Sequence, residues 1–223
     1  MKVYLDTVGC RLNQSEIEMM ARQFRAAGHE IVASVPAGGA DLAVVNTCAV
    51  TSDAAADSRQ RIRAIVRLGA ERVIVTGCWA TLQPKEAANL PHVLRVVPNE
   101  QKDSLVETLN VERLTFNVQP IERIPLPGLH RRTRAFIKVQ DGCDNACTFC
   151  ITTVARGQGR SRPLAEVIAD VQFALAGGTK EIVLTGVHLG SWGQEWGIPS
   201  GLRELVRAIL DQNNFTNIPI MSY

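Results

Sequence analysis

The chain has 223 residues, of which 46% are hydrophobic and 21% are charged, and its formal net charge is +2. This length allows one large domain or two small ones, and the composition is ordinary for a globular protein. No apolar run reaches the length of a membrane span, and the first residues read as a strand rather than as a signal peptide. We therefore expect a cytoplasmic protein without a membrane partner.

The six cysteines fall into two groups. The dispersed cysteines are Cys10, Cys48 and Cys78, and the clustered cysteines are Cys143, Cys147 and Cys150. An even number of cysteines indicates disulfides in a small secreted domain, but this chain is neither small nor evidently secreted. We therefore interpret the cysteines as two groups of thiols rather than as disulfide partners.

The first half of the chain alternates short strands with helices. Strands are predicted over residues 2–8, 30–33, 42–45, 73–75 and 93–97. Asn13 is predicted to cap the first helix and Gly28 to end it, and Thr51 or Ser52 opens the second helix. Further helices are predicted around 84–90 and 101–109. Short loops between such elements predict a parallel sheet in the flavodoxin-like order 2-1-3-4-5.

Each dispersed cysteine directly follows a predicted strand. Cys10 follows the first strand, Cys48 the third and Cys78 the fourth, and these strands are neighbours in the predicted order, about 4.8 Å apart. Ligands bind at the carboxyl ends of the strands in open α/β sheets. Three thiolates can therefore converge on one metal cluster, whereas each cysteine taken alone could be a buried apolar side chain.

The second half begins after a connector. Pro125, Pro127 and Gly128 mark the connector, and we expect a first domain over residues 1–115, a linker over 116–133 and a second domain over 134–223.

The β/α pattern then resumes in the second domain. A strand is predicted over 134–140, with Phe136 and Val139 as buried positions. A helix begins near Pro163 and ends at Gly177. The remaining predicted elements are a strand over 182–184, a helix over 202–209 and a strand over 218–221. This half therefore contains two β/α units and the start of a third.

The clustered cysteines have the spacing C-x3-C-x2-C, and a tight loop of this kind can present three thiolates to one point. Thiolates are soft ligands that select zinc, copper(I) or iron–sulfur clusters. A structural zinc site needs four ligands, and the nearest histidines, His130 and His188, are distant in sequence. Three ligands on a four-iron cluster leave one iron open to a ligand that is not protein. The loop therefore favours a reactive iron–sulfur cluster.

With Phe149 directly before the third cysteine, this loop resembles the signature of the radical S-adenosylmethionine (SAM) enzymes. The flanking segments 134–142, 156–162 and 181–190 extend the match, and together they resemble the methylthiotransferases that modify tRNA. The segments Gly9-Cys10 with Asn13, Asn46-Thr47-Cys48, and Gly77-Cys78 resemble the N-terminal domain of the same family.

The resemblance implies two 4Fe–4S clusters and SAM. The clustered cysteines would be the catalytic set, holding the cluster that binds and cleaves SAM, and the dispersed cysteines would hold the cluster that carries the inserted sulfur. Phe149 would pack near the adenine of SAM, and Thr185, Gly186 and Val187 would contact SAM through their backbone.

The resemblance also implies a fold. An α/β chain is expected, with an N-terminal flavodoxin-like parallel sheet domain followed by the first part of a radical SAM β/α partial barrel. The remaining β/α units and the RNA-binding domain of the family have no counterpart here. We therefore interpret the chain as C-terminally truncated.

The implied reaction is methylthiolation of carbon 2 of N6-threonylcarbamoyladenosine beside the tRNA anticodon, with SAM as both radical source and methyl donor. Segments 9–14 and 186–190 resemble this branch most, before the branches acting on isopentenyladenosine and on a ribosomal-protein aspartate. The implied partners are tRNA, an electron donor of the flavodoxin or ferredoxin type, and a sulfur donor.

Two other classes remain open. A non-catalytic RNA-binding module would hold zinc at the clustered cysteines, but it lacks a fourth ligand. A flavodoxin-like binding protein would need a glycine-rich phosphate loop after the first strand, and none follows.

Arg156, Arg160 and Arg162 could contact phosphate in an RNA.

Overall fold

The computed structural model describes residues 1–35, 37, 39–110, 134–213 and 220–222. The chain divides into two compact units, which we call unit 1 (Met1–His130) and unit 2 (Arg131–Tyr223). The predicted linker, residues 116–133, lies outside the described residues, so its boundaries stay a prediction.

The described part of unit 1 contains one parallel sheet of five strands. These strands are β1 (Lys2–Thr7), β2 (Glu30–Val32), β3 (Leu42–Thr47), β4 (Val73–Gly77) and β5 (Val93–Val97). Their order is β2-β1-β3-β4-β5, which confirms the flavodoxin-like order predicted from the sequence. Every residue of β3 and β4 is buried, as expected for central strands that are covered on both faces.

Helices follow the strands of this sheet. They are α1 (Arg11–Ala26), α2 (Ser52–Arg67), α3 (Cys78–Leu82), α4 (Pro84–Ala88) and α5 (Leu105–Asn110), with a 3-10 segment at Asn99–Ser104. Of the two predicted cap residues, Thr51 and Ser52, the structure selects Thr51, because its hydroxyl oxygen accepts a 3.1 Å hydrogen bond from the Ala54 N–H. The predicted cap at Asn13 is wrong. Helix α1 already begins after Cys10, and Asn13 is buried within it.

The two faces of the sheet bury separate apolar clusters. Side chains alternate between the faces along each strand, so Val44 and Val45 of β3 point to opposite sides. Val44 packs with Phe24 of α1 on one face, and Val45 packs with Ile62 of α2 on the other. The sheet is therefore the central layer of unit 1.

Unit 2 contains five strands in its described part. They are β6 (Arg134–Lys138), β7 (Gln140–Asp141), β8 (Arg160–Ser161), β9 (Glu181–Thr185) and β10 (Ile220–Ser222). Strands β10, β9 and β6 pair in that order as a parallel sheet, whereas β7 and β8 form an antiparallel pair. The parallel sheet confirms two β/α units and the start of a third. The pair β7–β8 was not predicted, because strands of two residues carry no periodic pattern.

The described part of unit 2 contains the α-helices α6 (Ile151–Arg156), α7 (Leu164–Ala176) and α8 (Gly201–Asn213). Val171 of α7 and Leu205 of α8 pack in one cluster with Ile182 and Leu184 of β9. Phe136 and Val139 are buried, as predicted. In the described ranges of both units, no helix is long and apolar enough to cross a membrane.

The cap of α2 gives a first prediction. Replacing Thr51 with Ala removes the acceptor for the Ala54 N–H, so we expect unit 1 to lose about 1 kcal/mol of unfolding free energy. The midpoint of urea unfolding, followed by circular dichroism, measures this loss. Thr51→Ser keeps a hydroxyl acceptor and should retain most of the stability, and equal midpoints for the two variants would contradict the assignment of the cap.

Candidate functional site

The dispersed cysteines lie at one edge of the unit 1 sheet. Cys10 separates β1 from α1, Cys48 follows β3, and Cys78 is the first residue of α3 after β4. The parallel register pairs Thr7 with Asn46 and Thr47 with Gly77, so these three strands end at the same level. The structure therefore brings the three predicted residues to one region, as the strand order required.

The loops that carry these cysteines pack tightly around the end of β3. A Cβ atom on Gly9 would lie 2.8 Å from Sγ of Cys48. Gly77 has φ +98°, and a Cβ atom there would clash with the carbonyl oxygen of Thr47. Any residue with a Cβ atom would make this clash. Glycine at position 77, directly before Cys78, therefore permits the close approach of β3 and the α3 loop.

The pKa of the Cys48 thiol depends on both of the other dispersed cysteines. Burial raises the pKa of Cys48, hydrogen bonds from the backbone of Val50 and Ala49 oppose this, and the neighbouring Cys10 and Cys78 raise the pKa further. Cys48 and Cys78 are buried, whereas Cys10 is exposed. A positively charged metal centre would stabilise the thiolate of Cys48, which burial and the neighbouring cysteines disfavour.

The donors of this site are thiols, which are the protein ligands of iron–sulfur clusters. Among the described residues, no three His, Cys, Asp or Glu side chains converge closely enough to hold one metal ion. A 4Fe–4S cluster is held by cysteine thiolates that bind different irons, so its ligands surround the cluster instead of meeting at one point. Three thiols at one sheet edge, without a carboxylate or histidine among them, fit that requirement.

Two asparagines contact the dispersed cysteines, and the sequence identified neither contact. Asn13 accepts a hydrogen bond from the Cys10 thiol at 3.7 Å, and its amide donates to the carbonyls of Val8 and Thr47 at 2.8 and 3.1 Å. The amide of Asn99 lies 3.7 Å from Sγ of Cys78 and donates to it. The Gly-Cys-x-x-Asn spacing was a signal for Asn13, whereas nothing near Asn99 indicated its role.

The clustered cysteines lie in the loop between β7 and α6 of unit 2. The Cys143 N–H donates to the carbonyl of Gly157 at 3.0 Å, and the Cys150 N–H donates to the carbonyl of Cys147 at 3.1 Å. The carboxylate of Asp144 accepts the N–H of Gly159 at 3.1 Å. The loop is therefore tied at its start to the segment that follows α6.

The three thiols of this loop differ in exposure. Cys143 is buried, Cys150 is half-buried and Cys147 is exposed. Cys150 occupies the cap position of α6, and hydrogen bonds from Thr153 and Thr152 lower its pKa. A lowered pKa favours the thiolate, which is the form that ligates metals. The loop thus offers three thiols, one of them biased toward the ligating form.

A buried charge network supports the base of the loop. Asp141 accepts a 2.8 Å hydrogen bond from Arg156, whose side chain is 2% exposed, and Lys138 lies 3.7 Å from the same carboxylate. Asp141 also accepts the Gly142 N–H at 2.8 Å. The expectation that Arg156 contacts phosphate is wrong, since its guanidinium is held inside unit 2.

Arg162 also has internal partners. Its guanidinium bonds Asp170 at 2.7 Å, Glu166 at 3.2 Å and the carbonyl of Lys138 at 3.0 Å. Arg160 is about half exposed, and its guanidinium lies 3.9 Å from Asp141. Of these three arginines, Arg160 is thus the one with substantial exposure.

The predicted SAM-contacting segment lies beside the start of the cysteine loop. Thr185 ends β9, and Gly186 and Val187 follow it. A Cβ atom on Gly186 would lie 3.0 Å from the side chain of Gln140, and the side-chain amide oxygen of Gln140 accepts the His188 N–H at 2.8 Å. The structure therefore brings residues 185–187 next to β7, which begins three residues before Cys143.

Phe149 lies on the surface of unit 2. Its side chain is 91% exposed, and Ile151 and Val154 of α6 are also exposed. The predicted packing of Phe149 against an adenine ring stays a prediction.

The turn at Gly142 gives a second prediction. Gly142 has φ +68°, and a Cβ atom there would clash with the carbonyl oxygen of Gln158. Gly142→Ala should therefore displace the start of the cysteine loop, lower the thermal unfolding temperature and reduce the iron bound after anaerobic reconstitution. Calorimetry and iron analysis measure the two effects.

Gly178→Ala is the matched control for this variant. Gly178 has φ +77°, but no atom lies within 4 Å of the position that a Cβ would take, so alanine there meets the backbone strain without the steric clash. We expect a loss of about 1 kcal/mol in the control and normal iron content. Equal effects of the two substitutions would show that the contact with Gln158 is unimportant.

Two family models match this chain. Residues 2–98 match the model described as "Uncharacterized protein family UPF0004", and residues 137–212 match the Radical SAM superfamily. The first match spans the dispersed cysteines and the second spans the clustered cysteines.

Curated relatives match across both segments. Proteins named threonylcarbamoyladenosine tRNA methylthiotransferase MtaB are 38% identical in Thermotoga maritima, over 93% of this chain and 48% of the relative, and 38% identical in Bacillus subtilis, over 86% and 45%. A protein named ribosomal protein uS12 methylthiotransferase RimO from Desulfosudis oleivorans is 32% identical, over 95% and 51%. The chain spans about half the length of the curated relatives it matches.

A solved structure shares the fold. The radical S-adenosylmethionine methyltransferase TsrM from Kitasatospora setae superposes with a TM-score of 0.64 at 15% identity, covering 96% of this chain and 51% of TsrM. This likeness concerns the fold alone. Since both family models match in one chain and the relatives named above are methylthiotransferases, the chain belongs to the radical SAM methylthiotransferase family.

Proposed function

We propose that this chain is the catalytic part of a tRNA methylthiotransferase that acts on N6-threonylcarbamoyladenosine. The observation that supports this most is the presence of two separate three-cysteine sites, one at the strand ends of unit 1 and one in the loop after β7 of unit 2. A methylthiotransferase must both activate a C–H bond and supply sulfur, so two metal centres with different tasks suit the reaction.

In unit 2, the proposal assigns a 4Fe–4S cluster to Cys143, Cys147 and Cys150. When bound and reduced, that cluster supplies the electron that cleaves SAM. The protein contributes the position of the loop, which the hydrogen bonds of Cys143 to Gly157 and of Gly142 to Asp141 fix. The pKa of Cys150 is lowered by its hydrogen bonds to Thr153 and Thr152, which favours ligation.

The same proposal places SAM beside the end of β9. Backbone groups of Thr185, Gly186 and Val187 would contact SAM, and Gln140 would hold this segment through its bond to the His188 N–H. Phe149 is exposed and therefore accessible to a bound adenine ring, which it would contact by stacking.

In unit 1, the proposal assigns a second 4Fe–4S cluster to Cys10, Cys48 and Cys78. Two of these thiols are buried and the third is exposed, so a cluster there would have both a protein-covered side and an accessible side. Accessibility is needed because sulfur must reach the cluster and then leave it. The chain's contribution is the alignment of three strand ends and the close packing of the loops.

The substrate assignment rests on the relatives. Proteins named for threonylcarbamoyladenosine are 32–38% identical to this chain, whereas the RimO protein from Desulfosudis oleivorans is 32% identical. We therefore favour the tRNA nucleoside over the ribosomal-protein side chain. The proposed partners are tRNA, a flavodoxin- or ferredoxin-type electron donor and a sulfur donor, all in the cytoplasm.

Metal content tests the two proposed clusters. After anaerobic reconstitution we expect about eight irons per chain with matching labile sulfide, and about four after replacing either group of three cysteines with alanine. Cleavage of SAM to 5′-deoxyadenosine should disappear in the variant lacking the clustered cysteines and persist in the variant lacking the dispersed cysteines. The second triple variant is the matched control for the first.

Other metal contents would contradict the proposal. About one zinc per chain without labile sulfide would indicate a structural metal site. About four irons in the parent chain, unchanged when Cys10, Cys48 and Cys78 are replaced, would remove the second cluster from unit 1.

Nucleoside analysis tests the substrate. We express the chain in a bacterial strain that lacks its own threonylcarbamoyladenosine methylthiotransferase and analyse digested tRNA by mass spectrometry. The expected result is the 2-methylthio form of N6-threonylcarbamoyladenosine, absent when Cys143, Cys147 and Cys150 are replaced. A methylthio group on isopentenyladenosine or on ribosomal protein uS12 instead would overturn the substrate assignment, and an unmodified pool would show that this chain lacks transferase activity by itself.

A further inference from the structure

A fully buried ion pair in unit 1 is formed by two residues that belong to none of the sequence motifs. The ammonium of Lys102 lies 2.6 Å from the carboxylate of Glu16, and both side chains are 0% exposed. Taking two charges out of water costs several kcal/mol per ion, and apolar side chains of similar volume often replace such a pair without loss of stability. A contribution to the stability of the fold therefore does not explain why this pair is present. Its contacts indicate a different role.

The pair holds Asn46 at the carboxyl end of β3. The Asn46 amide donates to Glu16 at 3.1 Å, and its carbonyl oxygen accepts from Lys102 at 3.4 Å. The same carbonyl oxygen would lie 2.6 Å from a Cβ atom on Gly77, the residue before Cys78. The two charges thus fix the orientation of a side chain that fills the space beside the α3 loop.

From Asn46 the contacts continue to the first cysteine loop. The Asn46 amide also donates to the backbone carbonyl of Asn13 at 3.0 Å. Asn13 in turn accepts from the Cys10 thiol and donates to the carbonyl of Thr47, the residue before Cys48. One chain of hydrogen bonds therefore runs from the buried pair to the backbone or thiol at two of the three cysteines.

Cys78, the third cysteine, is connected to the pair through the 3-10 segment that contains Lys102. Lys102 and Asn99 belong to the same 3-10 segment, Asn99–Ser104, and Asn99 donates to Sγ of Cys78. Anchoring Lys102 in the core holds this short segment in place and with it the amide that contacts Cys78. All three dispersed cysteines are thus connected to the pair.

We infer that Glu16 and Lys102 are positioning residues that set the geometry of the dispersed cysteines. This inference rests on the proposed function for the role of these cysteines as cluster ligands. It goes beyond that function by assigning the geometry of the site to a buried charge pair, Glu16 and Lys102.

The test uses the full chain with Glu16→Leu and Lys102→Met together. The apolar pair should keep the fold, so the thermal unfolding temperature should stay within a few degrees of the parent. In the metal-free protein, alkylation of Cys48 and Cys78 by iodoacetamide, read for each cysteine by peptide mass spectrometry, should become about tenfold faster as the site opens locally. Alkylation of the exposed Cys147 in unit 2 should not change.

Two further variants separate positioning from stability. Phe24→Leu reduces packing in the same core and on the same helix as Glu16, away from the polar network, and should leave the alkylation rates of Cys48 and Cys78 near the parent values. Asn46→Ala keeps the ion pair but cuts its link to Asn13, and it should raise the rates as the double variant does. If the double variant does not fold, Asn46→Ala decides the question.

A metal-loaded measurement complements this test. With the clustered cysteines replaced by alanine, iron remaining in unit 1 should transfer to a chelator about tenfold faster in the Glu16→Leu/Lys102→Met background. The electron paramagnetic resonance signal of the reduced cluster should also change shape.

If the parent of this series binds no iron, the proposed cluster of unit 1 fails, while the alkylation rates still decide the positioning role. The inference is overturned if Asn46→Ala folds and its Cys48 and Cys78 are alkylated at the same rates as in the parent chain.

Discussion

The parallel alignment of β1, β3 and β4 is the constraint on which the unit 1 site depends. Because these strands run in one direction and are in register, residues distant in sequence leave the sheet at the same edge. The end of β3 is central, since Thr47 donates to the carbonyl of Thr76 at 2.6 Å and accepts from the Ala80 N–H at 3.1 Å. These two bonds hold the α3 loop, and with it Cys78, against the strand that leads to Cys48.

In both units, buried charged side chains hydrogen-bond to residues next to the cysteine loops. In unit 1 the pair Glu16–Lys102 orients Asn46, and in unit 2 the carboxylate of Asp141 binds Arg156 and the backbone at Gly142. A buried charge is costly unless it is paired and hydrogen-bonded, so such networks tolerate few alternative geometries. In each unit, this rigidity lies in the residues that adjoin the cysteine loops.

Periodicity and local side-chain chemistry were the reliable signals in this sequence. The strand order of unit 1, the cap at Thr51 and the buried positions Phe136 and Val139 follow from periodicity and local chemistry, and all are confirmed. The cap at Asn13 was wrong because an asparagine near a helix start has the same appearance whether it caps the helix or points inward from its first turn. The contacts of Asn99 and Lys102 were missed, since their partners lie far away in sequence.

The sequence by itself determined the class of this protein. The C-x3-C-x2-C spacing, the strand-end cysteines and the alternation of strands and helices are local patterns, and they sufficed to indicate the family and its α/β fold. Only the tertiary structure decided which polar side chains hold the cysteine loops. A buried amide or ammonium has no periodic signature, and its partner is chosen by the packing of distant elements, as for Lys102 with Glu16 and Arg156 with Asp141.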